Sequence, residues 1–309
     1  SLFLLLKACA KLRSIERGRA IHAESVKHGM ERDLILGTIL VDMYAKCGFL
    51  AKAQQVHCEL EVRNAVIWNA LMFGYIQQCQ SDEALACFER IQSEGLCPNE
   101  ITFTFTLRAC GCTKATSKGK QIHCIIIEGQ MLEKSVVLGN ALIDMYAKCG
   151  MLEKAREVLE ELPTRNVVSW NALISGYAQQ GHGYEALSCF EKMQDDGLFP
   201  DDGTFQCVLC ACGHSGLLDE AQLLFNDMTK KYGITPTLEH HTCIVDLLGR
   251  IGYIESAMKA IQAMPSCNHL PMWFSLLGAS EKWGNVQLGR LVFNHVVQLD
   301  KSGNRSGLA

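Results

Sequence analysis

The chain has 309 residues, of which 48% are hydrophobic and 20% are charged, and its formal net charge is −4. This composition is typical of a soluble, well-packed protein, and the slight acidity excludes one that binds nucleic acid through an overall positive charge. No apolar run approaches the roughly 20 residues of a membrane-spanning helix, so we expect no membrane partner.

An internal repeat sets the order of the predicted elements. The string DMYAKCG occurs at 42–48 and 144–150, and the string WNAL occurs at 68–71 and 170–173, with an offset of 102 residues in both cases. Such a period indicates an elongated array of equivalent units rather than separate globular domains. In chain order, the predicted units are a partial long repeat at 1–33, a short repeat at 34–64, a standard repeat at 65–99, a long repeat at 100–135, a short repeat at 136–166, a standard repeat at 167–201, a long repeat at 202–237, a short repeat at 238–268, a diverged helical pair at 269–300 and a frayed polar tail at 301–309.

Each unit carries the pattern of two helices, because its apolar residues recur at the helical spacing i, i+3, i+4 and i+7. Gly48, Gly150 and Gly252 are predicted to end first helices with a left-handed turn. The strings GLCP at 95–98 and GLFP at 197–200 are predicted to end second helices, because proline cannot continue a helix. One hairpin cannot bury its own apolar face, so the hairpins must stack into an all-α helical-hairpin solenoid with an inner groove. The periodicity leaves its handedness open. Because the chain starts inside a repeat, we expect a fragment of a longer protein.

Sixteen cysteines occur in the chain, and many of them fall at matched positions of the repeats. A disulfide scaffold would not follow the repeat in this way. We therefore expect small, buried, apolar side chains in a reducing compartment. The matched sets are Cys47 with Cys149, Cys87 with Cys189, and Cys9 with Cys110 and Cys212.

The recurrent strings carry a family resemblance over nearly the whole chain. VVSWNALISGYAQQG, DMYAKCG, LRAC followed by GKQIH, and EHHTCIVDLLGRIGYIESA resemble the pentatricopeptide repeat family, in its plant subclass of alternating long, short and standard repeats. LLGA at 276–279, with the string GNVQLG at 284–289, resembles the start of the E-type C-terminal extension of that subclass. The resemblance implies a right-handed superhelix.

Members of this repeat class recognise about one RNA base per helical repeat with two or three side chains. In the family, the fifth and the last residue of a repeat select the base. The resemblance thus implies that Thr38 with Asn64 prefers adenine, and that Asn171 with Asp201 prefers uracil. Pairs of two asparagines imply a pyrimidine, and the long repeats depart from the pattern. The resulting RNA pattern, 5′ to 3′, is A, pyrimidine, unspecified, pyrimidine, U. The candidate base-binding residues are Thr38, Asn64, Asn69, Asn99, Thr104, Ser135, Asn140, Asn166, Asn171, Asp201 and Thr242.

Two further sets of candidate RNA-binding residues share a place in their repeats. The apolar second residues of the repeats correspond to the side chains that sandwich each base in the family, namely Ile35, Val66, Val137 and Val168. Basic residues share one place near the end of first helices, where they could line the groove for phosphates or form an ordinary solvated face. This set is Lys11, Lys46, Lys148 and Arg250.

The resemblance implies that the chain acts as a specificity factor for C-to-U editing of RNA in a plant mitochondrion or chloroplast. Its expected partners are single-stranded organellar RNA and, in the cell, editing-complex proteins or a deaminase. No deaminase signature, catalytic residue, metal or cofactor is assigned, so the chain is predicted not to be an enzyme, although a deaminase domain could follow in the parent protein. The alternative function is a protein-binding scaffold of the tetratricopeptide type.

Several candidate residues have a structural alternative. The asparagines and Asp201 could be helix N-caps, and for the last residue of a repeat both roles can coexist. Trp68 and Trp170 are interpreted as core between repeats rather than as base-stacking residues. His22 and the pair Cys207 and Cys210 resemble parts of a zinc deaminase site, but their repeat register argues against metal binding.

Overall fold

The computed structural model describes residues 2–30, 33–262, 264 and 269–306, and it describes side chains up to Leu299. Within these ranges it contains 18 α-helices and no strand, which confirms the all-α class. The helices are α1 (Leu2–Leu12), α2 (Ile15–Lys27), α3 (Leu34–Lys46), α4 (Leu50–Glu59), α5 (Ala65–Gln77), α6 (Ser81–Ser93), α7 (Glu100–Thr113), α8 (Thr116–Glu128), α9 (Val136–Lys148), α10 (Leu152–Glu161), α11 (Val167–Gln179), α12 (Gly183–Asp195), α13 (Asp202–Ser215), α14 (Leu218–Lys230), α15 (Leu238–Arg250), α16 (Ile254–Gln262), α17 (Leu270–Lys282) and α18 (Val286–Ser306).

The chain divides into two units, Ser1–Pro163 and Thr164–Ala309, which we call unit 1 and unit 2. In unit 1 the odd-numbered helices α1, α3, α5, α7 and α9 contact one another in sequence, and each also packs on the even-numbered helix that follows it. In unit 2 the odd-numbered helices α11, α13, α15 and α17 do the same. Each unit is therefore a stack of helical hairpins, as the repeat predicts.

The odd-numbered helices contact both their even-numbered partners and one another, and α5 shows the consequence for the sequence. Nine of the 13 residues of α5 are buried, including Trp68 and Leu71, because α5 contacts α3, α6 and α7. Trp68 is 3% exposed and Trp170 in α11 is 5% exposed. Both tryptophans are therefore core residues, and this confirms their structural interpretation.

The side-chain caps at the starts of odd-numbered helices come from the last residues of the predicted repeats. The side chain of Asn64 accepts a hydrogen bond from the backbone N–H of Ile67 at 3.0 Å, and Asn99 does the same for Thr102. Such a cap satisfies one of the four N–H groups that a helix start leaves without a partner. The side chains with this role are Asp33, Asn64, Asn99, Ser135, Asn166 and Asp201.

Left-handed glycines follow the ends of several helices. Gly48, Gly150 and Gly252 have φ angles of 84°, 82° and 91°, which confirms the predicted left-handed turns. The helices α6 and α12 end at Ser93 and Asp195, just before the strings predicted to end them, and Gly95 and Gly197 have φ angles of 67° and 77°. The predicted ends are confirmed, but the left-handed glycine redirects the chain before the proline is reached, so the proline is not what stops the helix.

The cysteine prediction holds for part of the set. Cys87, Cys110 and Cys212 are buried, whereas Cys47 and Cys149 are only partly buried because each lies at a helix C-cap. No disulfide joins cysteines within the described ranges.

The C-terminal segment departs from the expected organisation. Helix α18 continues through 301–306, the first part of the segment predicted to be a frayed tail. Residues 307–309, and the end of the predicted short repeat at 265–268, lie outside the described residues. Among the helices that the structure describes, none has an apolar stretch long enough to cross a membrane.

Candidate nucleic-acid interface

Unit 1 contains a groove of about 640 Å³ along α3, α5 and α7. Six of the candidate RNA-binding residues lie in its lining, and they come from two different predicted repeats. The lining residues are Lys7, Leu34, Ile35, Thr38, Ile39, Asp42, Lys46, Asn64, Val66, Asn69, Ala70, Phe73, Ile101 and Phe105. The groove thus combines mainly apolar walls with a few amide, hydroxyl and ammonium groups.

The apolar second residues point outward from the first turn of their helices. Ile35 is 64% exposed, and Val66, Val137 and Val168 are 54%, 54% and 57% exposed. Ile101 occupies the same position in α7 and is 53% exposed. The sequence prediction missed Ile101, although its alignment with Val66 at the second place of a repeat was a usable signal.

Asn69, the fifth residue of its repeat, is buried at the edge of the groove with 5% exposure. Its Nδ2 atom donates to Oδ1 of Asn99 at 3.1 Å, and its Oδ1 atom accepts from the Thr102 hydroxyl at 2.9 Å. This burial departs from the expectation of an open side chain. The fifth and the last residue of this repeat, Asn69 and Asn99, nevertheless contact each other directly.

Asn171 and Asp201 form the equivalent pair in unit 2, where Nδ2 of Asn171 donates to Oδ1 of Asp201 at 3.2 Å. The Thr204 hydroxyl donates to the Asp201 carboxylate, so Oδ1 of Asn171 is buried without a hydrogen-bond partner within the described residues. Partial burial raises the pKa of Asp201, but the hydrogen bonds from Thr204 and Asn171 outweigh it and lower that pKa below its usual value. Asp201 is therefore an ionised, acceptor-only partner at neutral pH.

The threonines at fifth positions are bonded to their own helices. Thr38 donates to the carbonyl of Leu34 at 2.6 Å, Thr104 to that of Glu100 at 2.9 Å, and Thr242 to that of Leu238 at 2.7 Å. Each hydroxyl has used its single hydrogen in this geometry and can offer only an acceptor to a base.

The remaining candidate base-binding residues differ in their surroundings. Ser135 donates to the carboxylate of Glu100 at 2.7 Å and also caps α9. Asn140 is partly buried in unit 1, whereas Asn166, its predicted partner, is exposed and belongs to unit 2. Asn64 is partly buried and, like Thr38, lines the groove of unit 1.

Three of the four predicted phosphate-binding residues already pair with a carboxylate one helical turn earlier. Lys46 lies 2.7 Å from Asp42, and Lys148 lies 2.7 Å from Asp144. Arg250 pairs in the same way with Asp246 at 2.5 Å. Exposed pairs of this type contribute little stability, so a phosphate can compete for the cation. The aspartate at this spacing is visible in DMYAKCG, and the sequence prediction overlooked it.

Lys11 differs from these three residues. It is exposed at the end of α1, and the position one turn earlier is Lys7 rather than an acid. Two ammonium groups therefore follow each other on α1, and Lys7 also lines the groove. Two positive charges one helical turn apart attract a polyanion.

The residues that resemble a zinc deaminase site have other contacts. Nδ1 of His22 lies 2.8 Å from the Tyr44 hydroxyl, within the packing of α2 on α3. Burial raises the pKa of the Cys207 thiol to about 11, which disfavours the thiolate that binds metal. Within the described part of the chain, no group of three His, Cys, Asp or Glu side chains could hold a metal ion.

Comparison with known proteins agrees with this architecture. The sequence profile of the PPR repeat family matches residues 63–112 and 165–214, and the PPR repeat profile matches 38–64, 140–167 and 203–232. Together these matches cover more than half of the chain.

Relatives occur in Arabidopsis thaliana. A putative pentatricopeptide repeat-containing protein is 37% identical over 96% of this chain and 53% of its own length. Two others, named chloroplastic and mitochondrial, are 36% and 35% identical over 96% of this chain, and over 34% and 49% of their own lengths. The chain thus spans a third to about half of these relatives.

The fold is also similar to that of a solved pentatricopeptide repeat protein, PPR10. The crystal structure of PPR10 with an 18-nucleotide psaJ RNA element matches 92% of this chain and 42% of that chain, with a TM-score of 0.72 and 18% identity. PPR10 from maize, in a further crystal structure, matches 96% of this chain and 54% of that chain with a TM-score of 0.58 and 19% identity. The repeated strings, the stacked hairpins and the matching profiles lead to one conclusion: this chain belongs to the pentatricopeptide repeat family.

Proposed function

We propose that the chain binds single-stranded RNA along its odd-numbered helices, with about one base per repeat. The observation that carries this proposal is the groove of unit 1. It gathers the fifth residues Thr38 and Asn69, the apolar second residues Ile35 and Val66, and the cation of Lys46. Apolar faces for bases beside polar base-contacting groups and a phosphate-binding cation form the combination that single-stranded RNA requires.

The hydrogen bonds of the last residues explain how two repeats could prefer different bases. Oδ1 of Asn99 accepts from Asn69 and from the Thr102 backbone, which leaves the Nδ2 donor for a base. Oδ1 of Asp201 accepts from Asn171 and Thr204, which leaves Oδ2 as an acceptor. Uracil carries an N3–H donor and cytosine does not, so we assign uracil to Asn171 with Asp201. The Nδ2 group of Asn99 can donate a hydrogen bond to an acceptor atom of either pyrimidine, uracil or cytosine.

We further propose that this chain serves as a specificity factor for C-to-U editing in a plant organelle. The alternating long, short and standard repeats support this role, as do the words chloroplastic and mitochondrial in the names of two relatives. Helices α17 and α18 span the segment assigned to the start of the E-type extension. In this scheme the chain selects the RNA, and a deaminase, as a further domain or as a partner, performs the chemistry.

The test is fluorescence anisotropy with a short labelled RNA that contains A, pyrimidine, any base, pyrimidine, U. We expect purines at the second, fourth and fifth positions to weaken binding about fivefold or more each, since one lost hydrogen bond costs about 1 kcal/mol. Exchange of Asn69, Asn140 and Asn171 for alanine should remove the preference. Asn226→Ala, at an exposed position of α14 outside the predicted sites, is the matched control.

Two outcomes would overturn the proposal. Equal affinity of the wild-type chain for matched and purine-substituted RNA would remove the base assignments. Absence of RNA binding by the folded chain would favour the protein-scaffold alternative, in which the apolar groove takes a peptide. Circular dichroism of the triple variant checks that a loss of binding is not a loss of fold.

A further inference from the structure

Two phenylalanines lie together in the groove of unit 1, outside the positions to which the family resemblance assigns a role. The rings of Phe73 in α5 and Phe105 in α7 have centroids 6.0 Å apart and are tilted by 50°. Both side chains are partly exposed and line the groove. The ammonium of Lys46 lies 6.0 Å from the centroid of the Phe73 ring.

Other phenylalanine pairs in the chain are parts of the core. Phe88 and Phe103 have centroids 6.2 Å apart, but they are only 2% and 4% exposed. Packing between helices explains such a buried pair fully. It does not explain why Phe73 and Phe105 keep ring surface in a groove beside the polar groups of Thr38 and Asn69.

The hydroxyls of the neighbouring long repeat indicate what this surface is for. Thr104 donates to the Glu100 carbonyl, and Ser135 donates to the Glu100 carboxylate. Neither hydroxyl can therefore donate to the base that we expect opposite residues 100–135, and both can offer it only acceptor atoms. Stacking on an aromatic ring is an alternative that tolerates any base, because every base has a π-face.

We propose that Phe73 and Phe105 form a stacking site for one unpaired base of the bound RNA, the base opposite the long repeat at 100–135. This inference rests on the proposed RNA binding and adds to it a contact that is independent of base identity. Ile101 and Val66 border the site as apolar walls, and Lys46 supplies a cation beside it for the adjoining phosphate. Single-stranded RNA offers a flat apolar face and an anion next to each other, so it matches this arrangement.

Unit 2 offers an internal control, because the equivalent positions 102 residues later are Ser175 and Cys207. Neither side chain presents an aromatic face. The stacking contribution should therefore be confined to unit 1, and changes at Ser175 or Cys207 should leave it intact.

The experiment uses the full chain and the five-nucleotide RNA pattern with a normal or an abasic third nucleotide. Wild-type protein should bind the abasic RNA at least about fivefold more weakly. Phe73→Leu and Phe105→Leu should weaken binding of normal RNA, and these variants should lose the penalty for the abasic site. Ser175→Ala should behave as wild type with both RNAs. A fluorescent 2-aminopurine at the third position should be quenched by the wild type and less so by Phe73→Leu.

The outcomes separate the two proposals. If wild-type protein binds no RNA, the proposed function itself fails. If it binds normal and abasic RNA equally well, RNA binding stands and the stacking site is wrong. The abasic comparison with wild-type protein needs no substitution, so a variant that misfolds does not prevent this decision.

Discussion

At the scale of single atoms, the hydrogen bonds of the last residue of a repeat show which of its atoms caps the following helix. Asn99 and Asp201 each use Oδ1 to cap the following helix, and the same oxygen accepts from the asparagine at the fifth position. The proposed base contact would use the other polar atom of the side chain, so capping does not compete with it. The sequence suggested both roles, whereas the use of Oδ1 for the cap is a result of the structure.

This division predicts the effect of exchanging the two residue types. Asp201→Asn keeps an oxygen that can cap α13 but replaces the free acceptor with an amide donor, so preference for uracil over cytosine at the fifth nucleotide should fall about fivefold or more. Binding of two RNAs that differ only at that base measures the change. Asn99→Asp is the reciprocal variant, and it should create a uracil preference at the second nucleotide. Unchanged discrimination in both variants would contradict the assignment.

A buried histidine should make the stability of the chain depend on pH. His57 packs against the ring of Trp68, and burial, helped by the positive charge of Arg63, lowers its pKa to about 4. Because the unfolded chain binds the proton near pH 6.5 and the folded chain does not, stability is full above that pH and is lost as the pH falls towards 4.

The expected size is roughly 2 kcal/mol between pH 7 and pH 5. Urea denaturation at both pH values measures it. The equivalent residue 102 positions later is Leu159, so His57→Leu adopts the chain's own alternative and should be less sensitive to pH by that amount. A variant with the same pH dependence as the wild type would show that His57 is not the titrating group.

Close contact between helices is the feature that matters at the scale of elements. Gly74 of α5 faces α3, and a Cβ at this position would meet the Leu50 side chain and would lie 2.9 Å from the Ala45 Cβ. The missing side chain lets α3 and α5 approach, and this approach brings Thr38 and Asn69 into one groove. The string GY occurs in both standard repeats, but the contact that requires glycine is visible only in the packed helices.

Gly74→Ala should destabilise the chain by about 1–3 kcal/mol, because overpacking outweighs the better helix propensity of alanine. Gly278 in α17 is the matched control, since a Cβ there meets nothing within 4 Å. Gly278→Ala should stabilise by about 0.4–1 kcal/mol. Thermal melts of both variants measure these changes in stability. A stabilised Gly74→Ala variant would contradict the explanation by close helix contact.

At the scale of the whole molecule, the net charge of −4 limits how the proposed RNA binding can depend on salt. Four basic residues are assigned to phosphates, and three of them have a carboxylate one turn away. The logarithm of the binding constant should therefore fall with the logarithm of salt concentration with a slope no steeper than about −3. Anisotropy titrations at several salt concentrations measure it, with Lys46→Gln expected to reduce the slope by about 0.7. A slope near twice the limit would require further phosphate contacts.

The sequence by itself determined the all-α class and the helix ends at Gly48, Gly150 and Gly252, because these depend on local periodicity and on backbone conformations that glycine favours. The family resemblance of the sequence, together with the shared place of the basic residues, also selected six residues that line the groove. Only the tertiary structure decided that Asn69 is buried, that three basic residues are paired and that Phe73 meets Phe105. These features depend on which atoms of separate helices lie within a few ångströms, and a one-dimensional pattern carries no information on such distances.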